Sequence, residues 1–202
     1  MKQRQQENKM KNILILGASG SLAKQVIPTL LANPEHRLTL FVRNAQSVSQ
    51  FAGERVEIVT GDVLNIAQLN AVMKGQDVVY AGLSGNLKAM AQNIVQAMNE
   101  NQVKRLIFIS SMGIYGETGE NHGAILEPYR QSAQVIEQSN LDFTLLRPAW
   151  FTNGSEVDYA LTYKGETFKG HSVSRKSIAD FILKLVQNEQ LGIRQSIGIA
   201  KV

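Results

Sequence analysis

The chain is expected to fold as a doubly wound α/β protein, a single domain whose mainly parallel sheet carries helices on both faces. Three observations lead there. Apolar runs of strand length alternate with segments of helical apolar spacing, β then α five times in succession. The first run, Ile13-Leu14-Ile15-Leu16, empties into Gly17-Ala18-Ser19-Gly20-Ser21-Leu22-Ala23, a Gly-x-x-Gly-x-x-Ala turn that opens an amphipathic segment. The strand runs are continuous rather than alternating, as in sheets covered on both faces, where right-handed crossovers lay each helix back over the strands. A length of 202 residues at 44% hydrophobic, without repeats or low-complexity tracts, suits one domain with a sizeable core.

Residues 1–11 are polar, Gln-rich and without apolar periodicity. They are expected to be a disordered leader or a start-site artefact, with Met10 an alternative first residue and the folded domain at 12–202. In the turn that follows the first strand, Gly17 and Gly20 let backbone N–H groups approach a ligand, and the opening of the helix at Ser21-Leu22 adds unpaired donors and the positive end of a dipole. Such a turn suits a diphosphate at Gly17, Ser19, Gly20, Ser21 and Leu22; a tight turn without a ligand is the alternative. Ala23 stands where a dinucleotide fingerprint often has its third glycine, a position that serves close helix-to-strand packing.

Leu22, Val26, Ile27, Leu30 and Leu31 keep the helical period, with Pro28 expected to kink the helix. After the turn Asn33-Pro34-Glu35-His36, the run Leu38-Thr39-Leu40-Phe41-Val42 is a buried strand ending at Arg43. A fold selective for NAD offers an acid there to the ribose hydroxyls. A guanidinium matches a phosphate instead, so Arg43 points to the 2′-phosphate of NADP, with NAD the second possibility.

A helix over 45–51 and a strand over 56–60 lead to Gly61-Asp62-Val63, a turn at the carboxyl edge where open α/β sheets bind ligands. Asp62 reads either as an acceptor for the adenine amino group, with Val63 against the ring, or as the N-cap of the next helix, over 66–73. The fourth strand, 77–83, ends in Ala81-Gly82-Leu83, whose small residues leave room for a cofactor. A helix over 87–98 and a strand over 105–111 follow, the strand tipped by Ser110 and Ser111. Next come a helix over 126–139 and a sixth strand over 142–148, which Pro148 stops because proline gives no N–H to a ladder.

Ala149-Trp150-Phe151-Thr152-Asn153-Gly154 is aromatic and turn-rich, placing it beside the reactive end of a cofactor or, alternatively, supplying ordinary core aromatics. Residues 159–170 are expected to make a hairpin-like excursion over the site. Ser174 caps a last helix with apolar Ile178, Phe181, Ile182, Leu185 and Val186, and 195–202 is a closing strand. The region left for a substrate is small and loop-built, around 149–173.

The formal charge of +4 is largely a tail effect, since Lys2, Arg4, Lys9 and Lys11 against Glu7 leave +1 for the remainder. No basic run interleaved with aromatics remains to suggest nucleic acid. Without cysteine there is no disulfide, thiolate metal site or thiol nucleophile, and His36, His122 and His171 are far apart and expected at the surface or in loops, so no metal is expected. No apolar run approaches a membrane span and no signal-peptide core stands at the N-terminus. The expected setting is the cytoplasm and the expected partner a small-molecule substrate.

Gly17-Ala18-Ser19-Gly20, Phe41-Val42-Arg43-Asn44, Gly61-Asp62-Val63, Phe108-Ile109-Ser110-Ser111, Tyr129 and Leu146-Arg147-Pro148-Ala149-Trp150 occur in order. Over about 11–202 the chain resembles an atypical short-chain dehydrogenase/reductase of the NAD(P)H-binding, NmrA-like group. The resemblance implies a Rossmann-type fold, NAD(P) binding in which Gly82, Leu83, Ser110 and Pro148 also take part, and catalytic roles for Ser111 as substrate-orienting hydroxyl and Tyr129 as proton donor. It also implies a lysine four residues after the tyrosine; Ala133 stands there, and Arg130 at i+1 points elsewhere on a helix. A phenol, titrating ordinarily near ~10, needs a neighbouring cation to serve at neutral pH. Tyr115 also follows Ser111 on the same loop, but Gly113 and Gly116 mark it as a turn residue. Two functions stay open, an NADPH-dependent reductase of a flavin, quinone or activated carbonyl and a non-catalytic NADP-binding sensor.

Overall fold

The computed structural model describes residues 10–120 and 123–202, so most of the expected leader, and His122, lie outside the described residues. The strands are β1 (Lys11–Leu16), β2 (His36–Val42), β3 (Val56–Thr60), β4 (Val78–Ala81), β5 (Arg105–Ile109), β6 (Asp142–Pro148), β7 (Trp150–Thr152), β8 (Ala160–Tyr163), β9 (Ser172–Ser174) and β10 (Gln195–Ala200). The α-helices are α1 (Ala23–Leu31), α2 (Ile66–Met73), α3 (Leu87–Glu100), α4 (Glu127–Glu137) and α5 (Arg175–Gln187). Ala45–Phe51, expected as a helix, is a 3₁₀ segment capped by Asn44, and a second 3₁₀ turn, Gly123–Leu126, leads into α4.

Eight strands form one sheet in the order β3-β2-β1-β4-β5-β6-β10-β8, with only β8 antiparallel. The doubly wound fold expected from the sequence is the one observed. β1 shows why its apolar run is unbroken. Successive side chains point to opposite faces, so Ile13 and Ile15 meet Val26 and Ile27 of α1 and Ile182 of α5, while Leu14 and Leu16 meet Leu69 of α2 and Ala91 and Ile94 of α3. Each face thus buries its own apolar layer, at about 1.5–3 kcal/mol for a fully buried aliphatic side chain. Pro28 lies on the exposed side of α1, which runs on to Leu31.

Two expectations change here. Residues 159–170 do not fold over the carboxyl edge: Ala160–Tyr163 pairs with β10 and closes the sheet's open side, because Leu161 packs there against the core and Thr162 is buried. His36 is no surface histidine but only 3% exposed, its Nδ1 2.9 Å from the Leu30 carbonyl at the end of α1. His171, just before β9, is exposed as expected. β7 and β9 form a separate two-stranded parallel sheet, which ties the aromatic segment after β6 to the start of α5.

Candidate functional site

β1 is flanked by β2 on one side and β4 on the other, so the strand order reverses at the carboxyl ends of β1 and β4 and opens a crevice there. The backbone crowds this point. Gly17 has φ +79°, and a Cβ on it would lie 2.1 Å from the Gly82 carbonyl oxygen, while a Cβ on Gly82 would meet the Tyr80 hydroxyl at 2.6 Å. Only glycine fits either position, and the exposed Ser19, Gly20 and Ser21 form the rim.

Three adjoining clefts run from this point along the carboxyl edge. Gly17, Ser19, Gly20, Gly82 and Leu83 line the first, together with Arg43, Asp62 and Val63. Arg43 is exposed, with no carboxylate paired to it among the described residues. Asp62 is not a helix N-cap: that place belongs to Asn65, whose side chain accepts from Gln68 N at 3.1 Å, while Asp62 Oδ1 accepts from Leu64 N at 2.9 Å within its own turn. The second cleft shares Gly20, Gly82 and Leu83 and adds Ser21, Leu22, Ser110, Tyr129 and Phe151. Two buried hydroxyls beneath it, Ser110 Oγ and the Tyr80 phenol, have no partner among the described residues, and burial pushes the Tyr80 phenol well above its ordinary range. Orphaned buried hydroxyls are uncommon. Together with the glycine cradle they fit a site made for a polar, backbone-hugging ligand.

The third cleft, of about 270 Å³, is bounded by Ser110, Ser111, Tyr129 and Pro148, with Met112, Ile125, Leu126, Trp150 and Phe151 supplying apolar walls. Trp150 is 68% and Phe151 39% exposed, so the aromatics are walls of the site rather than members of the core. Ser111 Oγ donates to its neighbour's carbonyl, Met112 O, at 3.0 Å. The fourteen residues singled out from the sequence therefore all border these three clefts. Ala133 is buried against the α3 side of the core, and Arg130 turns away to the Ile114 and Gly123 carbonyls, both at 3.2 Å.

A buried ion pair holds the loop that carries Ser110 and Ser111. Arg147, fully buried on β6, donates to the Glu117 carboxylate and, through Nε, to Ser196 Oγ at 3.0 Å. The same carboxylate accepts from Gly113 N at 3.0 Å and Tyr115 N at 2.9 Å, which folds the loop back on itself. Tyr115 is thus no free turn residue: its hydroxyl donates to Glu137 at 2.7 Å, lies 3.0 Å from Ser196 Oγ and is pushed up by burial, away from the clefts. Sequence pattern gives Glu117 no signal, whereas Arg147, a charge directly after the apolar Leu145-Leu146 in a strand, is a mark of a buried pair.

Arg175, the first residue of α5, was not among the expected residues. Its Nε donates to Ser21 Oγ in the glycine turn at 3.2 Å, and one terminal nitrogen donates to Thr152 O at 3.2 Å and Asn153 Oδ1 at 2.9 Å. The guanidinium lies 5.0 Å from the centroid of the Phe151 ring.

A parallel sheet with a glycine turn at its switch point defines a dinucleotide-binding protein of Rossmann type. The family described as NAD(P)H-binding matches residues 17–189, and the chain belongs to it. Among solved structures it is similar to a Rossmann-fold NAD(P)-binding family protein from Shigella flexneri, 42% identical with a TM-score of 0.87 over 95% of this chain and 94% of that one. A short-chain dehydrogenase/reductase from Veillonella parvula DSM 2008, solved in complex with NADP, is 28% identical with a TM-score of 0.87 over the same shares, 95% and 94%. In sequence it is 23% identical to the UPF0659 protein YMR090W of Saccharomyces cerevisiae, over 93% of this chain and 92% of that protein. The resemblance to atypical short-chain dehydrogenase/reductases holds at the level of fold and cofactor class. No helix among the described residues is long and apolar enough to cross a membrane.

Proposed function

We propose that the chain is an NADPH-dependent reductase of a small, uncharged acceptor such as a flavin, a quinone or an activated carbonyl, working in the cytoplasm. The observation that carries this reading is the continuity of the three clefts, with Arg43 at one end and a cleft at the other, neither a carboxylate on Arg43 nor a charged side chain lining that cleft being found among the described residues. Arg43 receives the 2′-phosphate, Asp62 and Val63 the adenine, and the turn from Gly17 to Leu22 the diphosphate. Ser110 and Pro148 border the nicotinamide. The bound cofactor supplies the hydride, and the protein supplies orientation and a dry wall.

Ser111 and Tyr129 offer hydroxyls to the acceptor, in a substrate region whose apolar walls are Met112, Ile125, Leu126, Trp150 and Phe151. Among the described residues the acceptor cleft is lined by hydroxyls and apolar or aromatic side chains and by no charged one, which suits a neutral planar ring against Trp150 rather than an acid. Ala133 leaves Tyr129 without the lysine that tunes a proton donor, so acceptors that take their proton from water suit the site better than an ordinary ketone. That same Ala133, packed in the core, favours the second reading, a sensor that binds NADP without chemistry.

Titrating NADPH and NADH into the protein, then following loss of the reduced cofactor's absorbance with flavins, quinones and aldehydes, separates the two. The reductase reading expects tighter NADPH binding and turnover with at least one class. Binding with no turnover across the panel leaves the sensor, and tighter NADH binding removes the role given to Arg43.

A further inference from the structure

We propose that Arg175 is a cofactor-binding residue, whose guanidinium closes over the glycine turn from the far side of the crevice and takes a diphosphate oxygen on the nicotinamide half. The proposal rests on the cofactor reading above and assigns a residue outside the glycine fingerprint. Arg175 reaches the turn by its Nε bond to Ser21 Oγ, 3.2 Å long and joining residues 154 apart in the chain. Ser21 borders the cleft that holds Ser110 and Tyr129 and not the one that holds Arg43, which places the guanidinium on the nicotinamide side. One terminal nitrogen is fixed by Thr152 and Asn153, while the other has no hydrogen-bond partner among the described residues. A partly buried guanidinium is thereby held rigid, with one nitrogen left over and no carboxylate paired to it among the described residues.

The placement is electrostatically odd without an anion. Arg175 and Lys176 open α5 and no acid stands in its first turn, although the positive end of a helix disfavours cations there. A doubly charged diphosphate between this end and the glycine turn reverses the sign of that interaction. The rigid fork also loses little further freedom on binding, because Phe151 and three hydrogen bonds, to Ser21, Thr152 and Asn153, already hold it.

A phosphate carried by the acceptor is the other source of the same chemistry, and direct cofactor titration distinguishes it. NADPH, NADH and adenosine 2′-monophosphate are titrated by fluorescence or calorimetry into wild type, Arg175→Ala, Arg175→Lys and Asn153→Ala, with no acceptor present. The expected result is that Arg175→Ala weakens NADPH and NADH by the same factor, roughly tenfold to a hundredfold for a lost charge-assisted bond, and leaves adenosine 2′-monophosphate unchanged. Arg175→Lys falls between, keeping the charge without the fork, and Asn153→Ala, which removes one support of Arg175 but leaves the guanidinium, weakens both dinucleotides by clearly less than Arg175→Ala.

Unchanged NADPH and NADH affinity in Arg175→Ala overturns the proposal and hands Arg175 to the acceptor. Equal weakening of adenosine 2′-monophosphate, or an equal loss in Asn153→Ala, overturns it in favour of a structural role. Failure of the wild type to bind either dinucleotide is a different result, since it removes the cofactor reading itself.

Discussion

Replacing Gly17 by alanine tests the crevice at its narrowest point. The added methyl would start 2.1 Å from the Gly82 carbonyl oxygen and 3.0 Å from its carbon, both backbone atoms at the end of β4, so no side chain can swing aside. Relief requires the ends of β1 and β4 to part by roughly an ångström, and overpacking of this kind costs about 1–3 kcal/mol. The φ of +79° adds about 1 kcal/mol for a residue with a Cβ. Together these give a loss of about 2–4 kcal/mol, or roughly 4–16 °C in Tm for a chain of this size. Because the strain falls on the cradle itself, NADPH affinity should fall at least tenfold in the fraction that remains folded. Thermal unfolding by circular dichroism, with cofactor titration at a temperature where the variant is folded, reads both. A variant with wild-type Tm and wild-type affinity would show that β1 and β4 do not approach as described.

Other perturbations reach separate parts of the molecule. Arg43→Ala should weaken NADPH roughly tenfold or more while changing NADH less than about threefold, read by parallel titrations; equal effects would mean that Arg43 does not meet the 2′-phosphate. Glu117→Gln leaves the fully buried Arg147 without its counter-charge, and should lower stability by about 3–5 kcal/mol in a denaturant titration. The double change Glu117→Leu with Arg147→Met should recover part of that loss, and a fully stable Glu117→Gln would show the pair to be dispensable. Burial holds the His36 imidazole below its ordinary 6.5, so the unfolded chain binds more protons as pH falls past that value and stability should decline as the pH is lowered through and below 6.5. His36→Gln should flatten that decline, and an unchanged pH profile would place its origin elsewhere.

The sheet was legible because its signal is local. Each run of Leu, Ile, Val and Phe, such as Ile13 to Leu16, is continuous only where both faces are covered, and the glycine turn after it marks the binding edge. What escaped was long-range pairing. Arg175 reaches Ser21 across 154 residues, and nothing near either names the other, although a cation opening α5 where the dipole disfavours it was a hint. Glu117 and Tyr115 sit in a glycine-rich loop that reads as loose, yet Arg147 from another strand makes it rigid. For residues 159–170 the β-like pieces were visible and their partner was not, since nothing local to Leu161 specifies pairing with Ile199 rather than with its own neighbours. His36 likewise looked polar and exposed until the end of α1 supplied a carbonyl for it.

A crystal structure of the protein with NADP tests the central claim most directly. The account predicts the 2′-phosphate within hydrogen-bond distance of the Arg43 guanidinium, the diphosphate along the turn from Gly17 to Leu22, and the nicotinamide beside Ser110 and Tyr129, facing the cleft walled by Trp150. A dinucleotide bound with its 2′-phosphate away from Arg43, or with its nicotinamide turned out of that cleft, would contradict it.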